Sequence, residues 1–120
     1  MKPTSPTKPR FSTLSARDQQ EVADLYRSGL QALEERRHKD AIRYWELVWS
    51  RAPDYQQVAE NLKQEYLAQG MDAFADGRLD QSIEIWEQAE SVAPGDPRVR
   101  GYLARAYEHK SRIREIKGDH

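Results

Sequence analysis

The sequence predicts an all-α protein of antiparallel helix hairpins, with about five helices in a long-short-long-short-long order. Apolar residues recur at three- and four-residue steps, which is the period of an amphipathic helix. The stretch GLQALEERRHKDAIRYWELVWSRAPDY, from Gly29, recurs 41 residues later as GMDAFADGRLDQSIEIWEQAESVAPGD, from Gly70. Hydrophobic residues make up 38% of the chain and charged residues 32%, which suits amphipathic helices exposed on one face.

The internal repeat keeps both small and large residues at fixed positions. At a constant offset of 41 residues, the matched pairs are Gly29 and Gly70, Ala32 and Ala73, Ile42 and Ile83, Trp45 and Trp86, Glu46 and Glu87, Ala52 and Ala93, and Pro53 and Pro94. The same offset carries Val58 to Val99, Leu62 to Leu103 and Tyr66 to Tyr107. The residues after Asp96 therefore begin a third copy that is not completed.

Capping and proline signals set the predicted boundaries. Ser15 is a predicted N-cap, with Asp18 in the place of the capping-box acid, and Pro53 ends the second helix. We expect long helices near residues 15–36, 55–76 and 97–116, each of about 22 residues. Prolines at positions 3, 6 and 9 favour extended backbone, so residues 1–13 are predicted to be a disordered basic tail.

Residues 14–117 are predicted to form a single helical domain. Repeat 1 covers about 14–54, repeat 2 about 55–95, and a capping helix about 97–116. Gly29 and Gly70 are expected to let the second helix of each hairpin approach closely at Ala41 and Ser82. Trp45 and Trp86 are expected to fill the wider gap between hairpins. Gly77 permits a left-handed turn, whereas Arg36 stands at the matching position, so a differently shaped turn is expected in repeat 1.

The repeats resemble a known family. Each copy has a glycine, a small residue twelve positions later and a proline after twelve more, namely Gly29, Ala41 and Pro53, then Gly70, Ser82 and Pro94. This spacing is similar to the tetratricopeptide repeat, although the period of 41 exceeds the family's 34 residues. The resemblance covers about residues 22–97 and implies an α-solenoid that binds other proteins.

The resemblance also implies which residues bind. The inner, concave face of such an array maps here onto six apolar residues, Tyr26, Leu30, Leu33, Leu67, Met71 and Phe74. Two interpretations stay open: the face is core or a self-association surface, or it receives a helix or peptide of another protein. The lengthened helices favour self-association, because they are expected to leave extra apolar surface near Val58, Leu62, Val99 and Leu103.

Charge is unevenly distributed and suggests an alternative function. Residues 54–96 carry ten acidic against two basic residues, whereas residues 98–117 carry seven basic against two acidic. Arg98, Arg105 and Arg112 with two nearby tyrosines are the candidate contacts for nucleic acid or another polyanion, or for an acidic partner. We expect Tyr107, however, to be buried, because it aligns with Tyr66 of the preceding repeat.

Several function classes are disfavoured by the residue content. The chain has no cysteine, and its histidines share no spacing with a nucleophile or base, so no enzyme activity, metal or cofactor is expected. Glu34, Glu35, His38 and Asp40 are interpreted as solvated charges rather than metal ligands. No apolar run is long enough to span a bilayer and no signal peptide is recognised, which predicts a cytoplasmic protein without membrane insertion.

Overall fold

The computed structural model describes residues 9–118, which are mostly helical. A short 3-10 helix covers Phe11–Thr13. Five α-helices follow: α1 (Ala16–Glu34), α2 (His38–Arg51), α3 (Val58–Ala75), α4 (Leu79–Val92) and α5 (Pro97–Gly118). The predicted all-α class is confirmed, and the described helices alternate as predicted, with 19, 14, 18, 14 and 22 residues.

The chain divides into two compact units, whose described parts are residues 9–62 and 63–118. The boundary lies within α3, so the first unit holds α1, α2 and the start of α3. The second unit holds the rest of α3 with α4 and α5. The sequence predicted a single domain over residues 14–117, with the repeat boundary near residue 54. The division falls inside the second repeat, because Tyr55 and Asn61 contact Tyr26 of the first hairpin.

Each core surrounds a tryptophan of the repeat. Trp45 is fully buried in the first unit, and Trp86 is almost fully buried in the second. Their buried neighbours in the two cores include Val22, Ala32, Ile42 and Val48 in the first unit and Ala73, Ile83, Ala89 and Ala106 in the second. Val58, Leu62, Val99 and Leu103 are buried as well, so the prediction that they leave extra apolar surface is wrong.

The two tryptophans lie directly on the two repeated glycines. A Cβ atom added to Gly29 would lie 2.3 Å from Nε1 of Trp45, and one added to Gly70 would lie 2.3 Å from Nε1 of Trp86. Such distances leave no room for a side chain. The glycines therefore accommodate the indole rings, a contact that the spacing did not predict.

The turns inside the two hairpins have the same shape. Arg36 has a φ of 63° and Gly77 a φ of 80°, so both lie in the left-handed region. In the first turn the Arg37 amide donates to the Ala32 carbonyl at 2.8 Å. In the second, the Arg78 amide donates to the Ala73 carbonyl at the same distance, so both turns are Schellman motifs. The prediction of a different turn at Arg36 is therefore wrong, because the hydrogen bonds hold arginine in a conformation that glycine adopts more easily.

The helix starts follow local capping. Ser15 Oγ accepts a hydrogen bond from the Asp18 amide at 3.1 Å, which confirms the predicted N-cap. The Asp18 carboxylate lies 2.9 Å from Arg51 on α2, and so joins the two helices of the first hairpin. Helix α3 begins at Val58, later than predicted, because Gln56 has a φ of 47° and interrupts helical geometry.

The start of the chain is ordered earlier than predicted. The Phe11 amide donates to Asp54 Oδ1 at 3.0 Å, and the Phe11 ring lies 4.7 Å from the ring of Tyr55. The proline spacing does not indicate this aromatic contact. The disordered tail predicted for residues 1–13 is therefore wrong for Phe11–Thr13, which form a 3-10 helix. Residues 1–8 lie outside the part of the chain that the structure describes.

Candidate functional site

A cleft lined with aromatic rings lies in the second unit, and Trp86 positions it. The Trp86 indole N–H donates to the Leu67 carbonyl at 3.2 Å, which fixes the ring against α3. Trp86 then stacks on Tyr102 of α5, with ring centroids 5.3 Å apart, and lies 5.9 Å from Phe74. Three aromatic rings from three helices are thus held together by packing and one hydrogen bond.

The cleft is small and mainly apolar. Its lining residues, which together we call the aromatic cleft, are Met71, Phe74, Trp86, Tyr102 and Arg105. Its volume is about 50 Å³, well below the roughly 300–1,000 Å³ of small-molecule sites. The aromatic cleft can therefore hold one small apolar side chain rather than a whole ligand.

One cation marks the rim of the aromatic cleft. Arg105 is exposed and has no carboxylate within ion-pairing distance among residues 9–118. Met71 is 40% exposed, so its flexible thioether is available to an incoming side chain. The site therefore combines a rigid aromatic floor, an adaptable edge and an uncompensated positive charge.

The first unit has an aromatic cluster of its own, built from other positions of the repeat. Tyr26 lies 5.3 Å from Tyr55 and 6.4 Å from Trp45, and Tyr55 in turn contacts Phe11. The Tyr26 hydroxyl accepts a hydrogen bond from Asn61 Nδ2 at 3.2 Å. Tyr26 is thus part of a packed aromatic cluster.

The six residues predicted for the concave face have different surroundings. In the second unit Met71 and Phe74 line the aromatic cleft, but Leu67 is only 4% exposed and belongs to the core. In the first unit Leu33 is half-buried, and Leu30, 43% exposed, shares a polar surface recess with charged residues of its own helix. Of the six, only Met71 and Phe74 lie in the cleft.

Three residues of the aromatic cleft were not predicted to act there, and one of them, Trp86, was expected only to fill the gap between hairpins. Tyr102 and Arg105 were grouped with the basic residues of the last helix, and their relation to Met71 was missed. A signal was present, because residues 102, 105 and 109 share one face of a helix. His109 contacts Phe74 from that face, with ring centroids 5.8 Å apart.

The cations predicted to bind a polyanion lie along α5, and one of them has an ion-pair partner within the described residues. Arg98, Arg105 and Arg112 are seven residues apart and exposed on α5, but Arg112 is paired with Glu108. Tyr107, which was expected to be buried, is 46% exposed. Its hydroxyl donates to Glu87 at 2.6 Å, and this bond raises the pKa of Tyr107.

No ligand set for a metal ion is found within residues 9–118, where no three His, Asp or Glu side chains are suitably grouped. In the same part of the chain, no helix has the length and apolar character needed to cross a bilayer. In comparisons with known proteins, no family model, curated protein or solved structure matches the chain.

Proposed function

We propose that the chain is a non-catalytic protein-association module of tetratricopeptide-like hairpins that binds a peptide or helix of another protein at the aromatic cleft. The observation that carries the proposal is the exposed Met71 beside a recess floored by fixed aromatic rings. The internal duplication and the glycine–tryptophan packing support the repeat assignment. The binding surface is the part of the concave face that belongs to the second unit.

The geometry favours a partner with one apolar anchor residue. Protein interfaces take most of their affinity from a few side chains that fill well-packed pockets. Trp86 is held by its hydrogen bond and by Tyr102, so the floor of the aromatic cleft requires little reorganisation when a side chain enters. A small aliphatic anchor fits the available volume of about 50 Å³.

Charge further defines the partner. Arg105 has no ion-pair partner within the described residues, so an anchor residue followed by a carboxylate would satisfy both parts of the site. A second copy of the chain is a weaker candidate, because the four residues expected to drive self-association, including Val58 and Leu103, are buried. Polyanion binding along α5 is also less well supported, because Glu108 already pairs with Arg112.

The proposal is tested by selecting displayed random peptides on the immobilised chain and measuring recovered peptides by fluorescence polarisation. We expect the peptides to share an aliphatic residue next to an acidic one. Met71→Asp should weaken their binding at least about tenfold, because it places a carboxylate at the mouth of the apolar recess. Arg105→Gln should weaken binding less, by about threefold.

Leu47→Asp is the matched control, since Leu47 is another exposed apolar residue, 50% exposed on α2 and outside the aromatic cleft. It should leave peptide binding within about twofold of wild type. Equal losses in both variants would contradict the site. Light scattering over a dilution series tests the other occupant, because a dimer broken by Met71→Asp would place a second copy in the cleft.

A further inference from the structure

A second recess lies at the start of α4, where the first turn of α4 faces the last turns of α5. It has a volume of about 550 Å³. Its lining includes four cations and two aliphatic residues, which together define the basic recess: Arg78, Lys110, Arg114, Lys117, Leu79 and Ile113. The recess is separate from the aromatic cleft and shares no lining residue with it.

The shape of the basic recess follows from unequal helix lengths. Helix α5 has 22 residues and α4 has 14, and Lys110 reaches Asp80 at the start of α4 with Nζ and Oδ1 2.9 Å apart. The last two turns of α5 therefore extend beyond α4. At the repeat offset of 41, Arg114 stands where the first two copies have Ala32 and Ala73, so a long cation replaces a buried small residue.

Most of the positive charge in the basic recess is uncompensated. Asp80 also lines the recess; it pairs with Lys110, which lowers its pKa together with the charge of Arg114. Arg78 and Lys117 have no carboxylate within 4 Å among residues 9–118, so the four cations face one lining carboxylate. The repeat provides a comparison for Arg78, because its equivalent in the first unit is Arg37.

Arg37 is neutralised by two carboxylates, Glu35 at 2.8 Å and Asp40 at 2.7 Å. In the second unit the residue equivalent to Asp40 is Gln81, which is neutral and also lines the basic recess. The second hairpin thus lacks a compensating charge that the first hairpin has. This difference leaves Arg78 available to an anion from outside the chain.

We propose that the basic recess binds an acidic peptide segment of another protein, in which carboxylates alternate with an aliphatic residue. Carboxylates bind Arg78, Arg114 and Lys117, and the aliphatic side chain packs on Leu79 and Ile113. Ile113 is 37% exposed, so this apolar floor is accessible. A peptide is favoured over single-stranded nucleic acid because no aromatic side chain lines the recess to stack on a base.

The experiment measures fluorescence polarisation of a labelled peptide of alternating Glu and Leu, against the same peptide with Gln in place of Glu. The double variant Arg114→Gln/Lys117→Gln should weaken binding of the Glu peptide about tenfold, since it removes two charge-assisted contacts. The Gln peptide should bind wild type about tenfold more weakly than the Glu peptide.

The matched control is Arg98→Gln/Arg112→Gln, which removes the same charge from the same helix outside the basic recess. We expect it to change binding less than about twofold. Ile113→Ser should weaken binding about threefold through the lost apolar contact. Circular dichroism checks that each variant keeps its helices. Arg78→Gln, on the other side of the recess, is an independent second test and should also weaken binding of the Glu peptide.

Three results would overturn the proposal. The first is the absence of saturable binding of the Glu peptide up to about 1 mM. The second is an equal loss in the control pair, which would indicate a diffuse charge effect. The third is tighter binding of a labelled oligothymidine than of the Glu peptide, with loss of both in Arg114→Gln/Lys117→Gln, which would assign the recess to nucleic acid. Because the Glu peptide also places an aliphatic residue beside a carboxylate, Met71→Asp separates the two sites: it should leave binding at the basic recess within about twofold of wild type.

Discussion

The contact between a glycine and a tryptophan is the residue-scale feature that defines both hairpins. Each indole ring lies against the position that a Cβ atom of the glycine would take. Each indole N–H also donates to a carbonyl on the helix that carries the glycine: Trp45 to Tyr26, and Trp86 to Leu67. Because the two units reproduce this contact at the same distances, the arrangement is a property of the repeated sequence. The second copy of the contact also holds the floor of the aromatic cleft.

Substitution at these glycines tests that contact. Gly70→Ala should destabilise the protein by about 1–3 kcal/mol, because the new methyl group overlaps the Trp86 ring and forces the helices apart. Gly101→Ala is the control. It lies within α5 with open space around it, and should stabilise the protein by about 0.5–1 kcal/mol through helix propensity. Urea denaturation followed by circular dichroism measures both; equal and small effects would contradict the packing described.

The Lys63–Asp96 pair is a second residue-scale feature, confined to the second unit. Lys63 is buried, and its Nζ lies 3.1 Å from Asp96 Oδ2. Asp96 Oδ1 accepts the amides of Arg98 and Val99, and so caps α5. The Lys63 ammonium, followed by the Val99 amide, lowers the pKa of Asp96.

A lowered pKa gives this pair a defined pH dependence. Its stabilisation is present above the ordinary aspartate pKa near 3.9 and is lost as the pH falls through the lower folded value. The free energy of unfolding should therefore decrease between about pH 5 and pH 2, and Asp96→Asn should reduce that decrease while keeping the helix cap. Asp72→Asn, at an exposed position of α3, is the control. An unchanged pH profile in Asp96→Asn would contradict the role of the pair.

At the scale of elements, the turn within each hairpin shows how one geometry is reached by different residues. Both turns have a residue with positive φ followed by the same hydrogen bond, but the first hairpin uses Arg36 and the second uses Gly77. Arginine in this conformation is strained by its Cβ atom, whereas glycine is not. The first turn is thus held by the hairpin around it.

Exchanging these residues has predictable and opposite effects. Arg36→Gly should raise the free energy of unfolding by about 0.5–1 kcal/mol, and Gly77→Ala should lower it by about 1 kcal/mol. No atom lies within 4 Å of a Cβ added at Gly77, so the loss there reports backbone strain alone. Thermal and urea unfolding provide the measurement. A destabilised Arg36→Gly variant would show that the arginine side chain contributes more than its strain costs.

The elements were predictable from the sequence because their signals are local and repeated. Ser15, the prolines that follow the short helices and the apolar period place five helices within a few residues of those observed. The start of α3 was missed because Tyr55 stands where the second repeat has the capping Asp96. The ordered Phe11 was missed because its partners, Asp54 and Tyr55, are distant in sequence.

At the scale of the whole molecule, the repeat predicted which helices form but not which surfaces remain open. The family resemblance treated the six concave residues as equivalent, yet Leu67 is buried, Tyr26 belongs to an aromatic cluster, and Met71 is exposed beside a cleft. Such differences depend on neighbours from other helices, which a periodic pattern in one segment does not specify. The charge asymmetry was predictable, but its concentration around Arg114 in the basic recess was not.

The two units also differ in the surroundings of the repeated tryptophan and of the arginine that follows each turn. In the first unit, the Tyr26 ring packs beside Trp45, and Arg37 is paired with two carboxylates. In the second unit, a cleft remains beside Trp86, and Arg78 has no such pair among the described residues. These differences are why the proposed binding surfaces are placed on the second hairpin and α5.

The proposed binding at the aromatic cleft is tested most directly by an amide chemical-shift titration. The isotopically labelled chain is titrated with a peptide obtained from the display selection. We predict saturable shifts concentrated in the α3 segment that contains Met71 and Phe74 and in the α5 segment that contains Tyr102 and Arg105. The α1 segment around Leu30 should change little. Shifts centred on α1, or spread evenly over the described residues, would contradict the assignment of partner binding to the aromatic cleft.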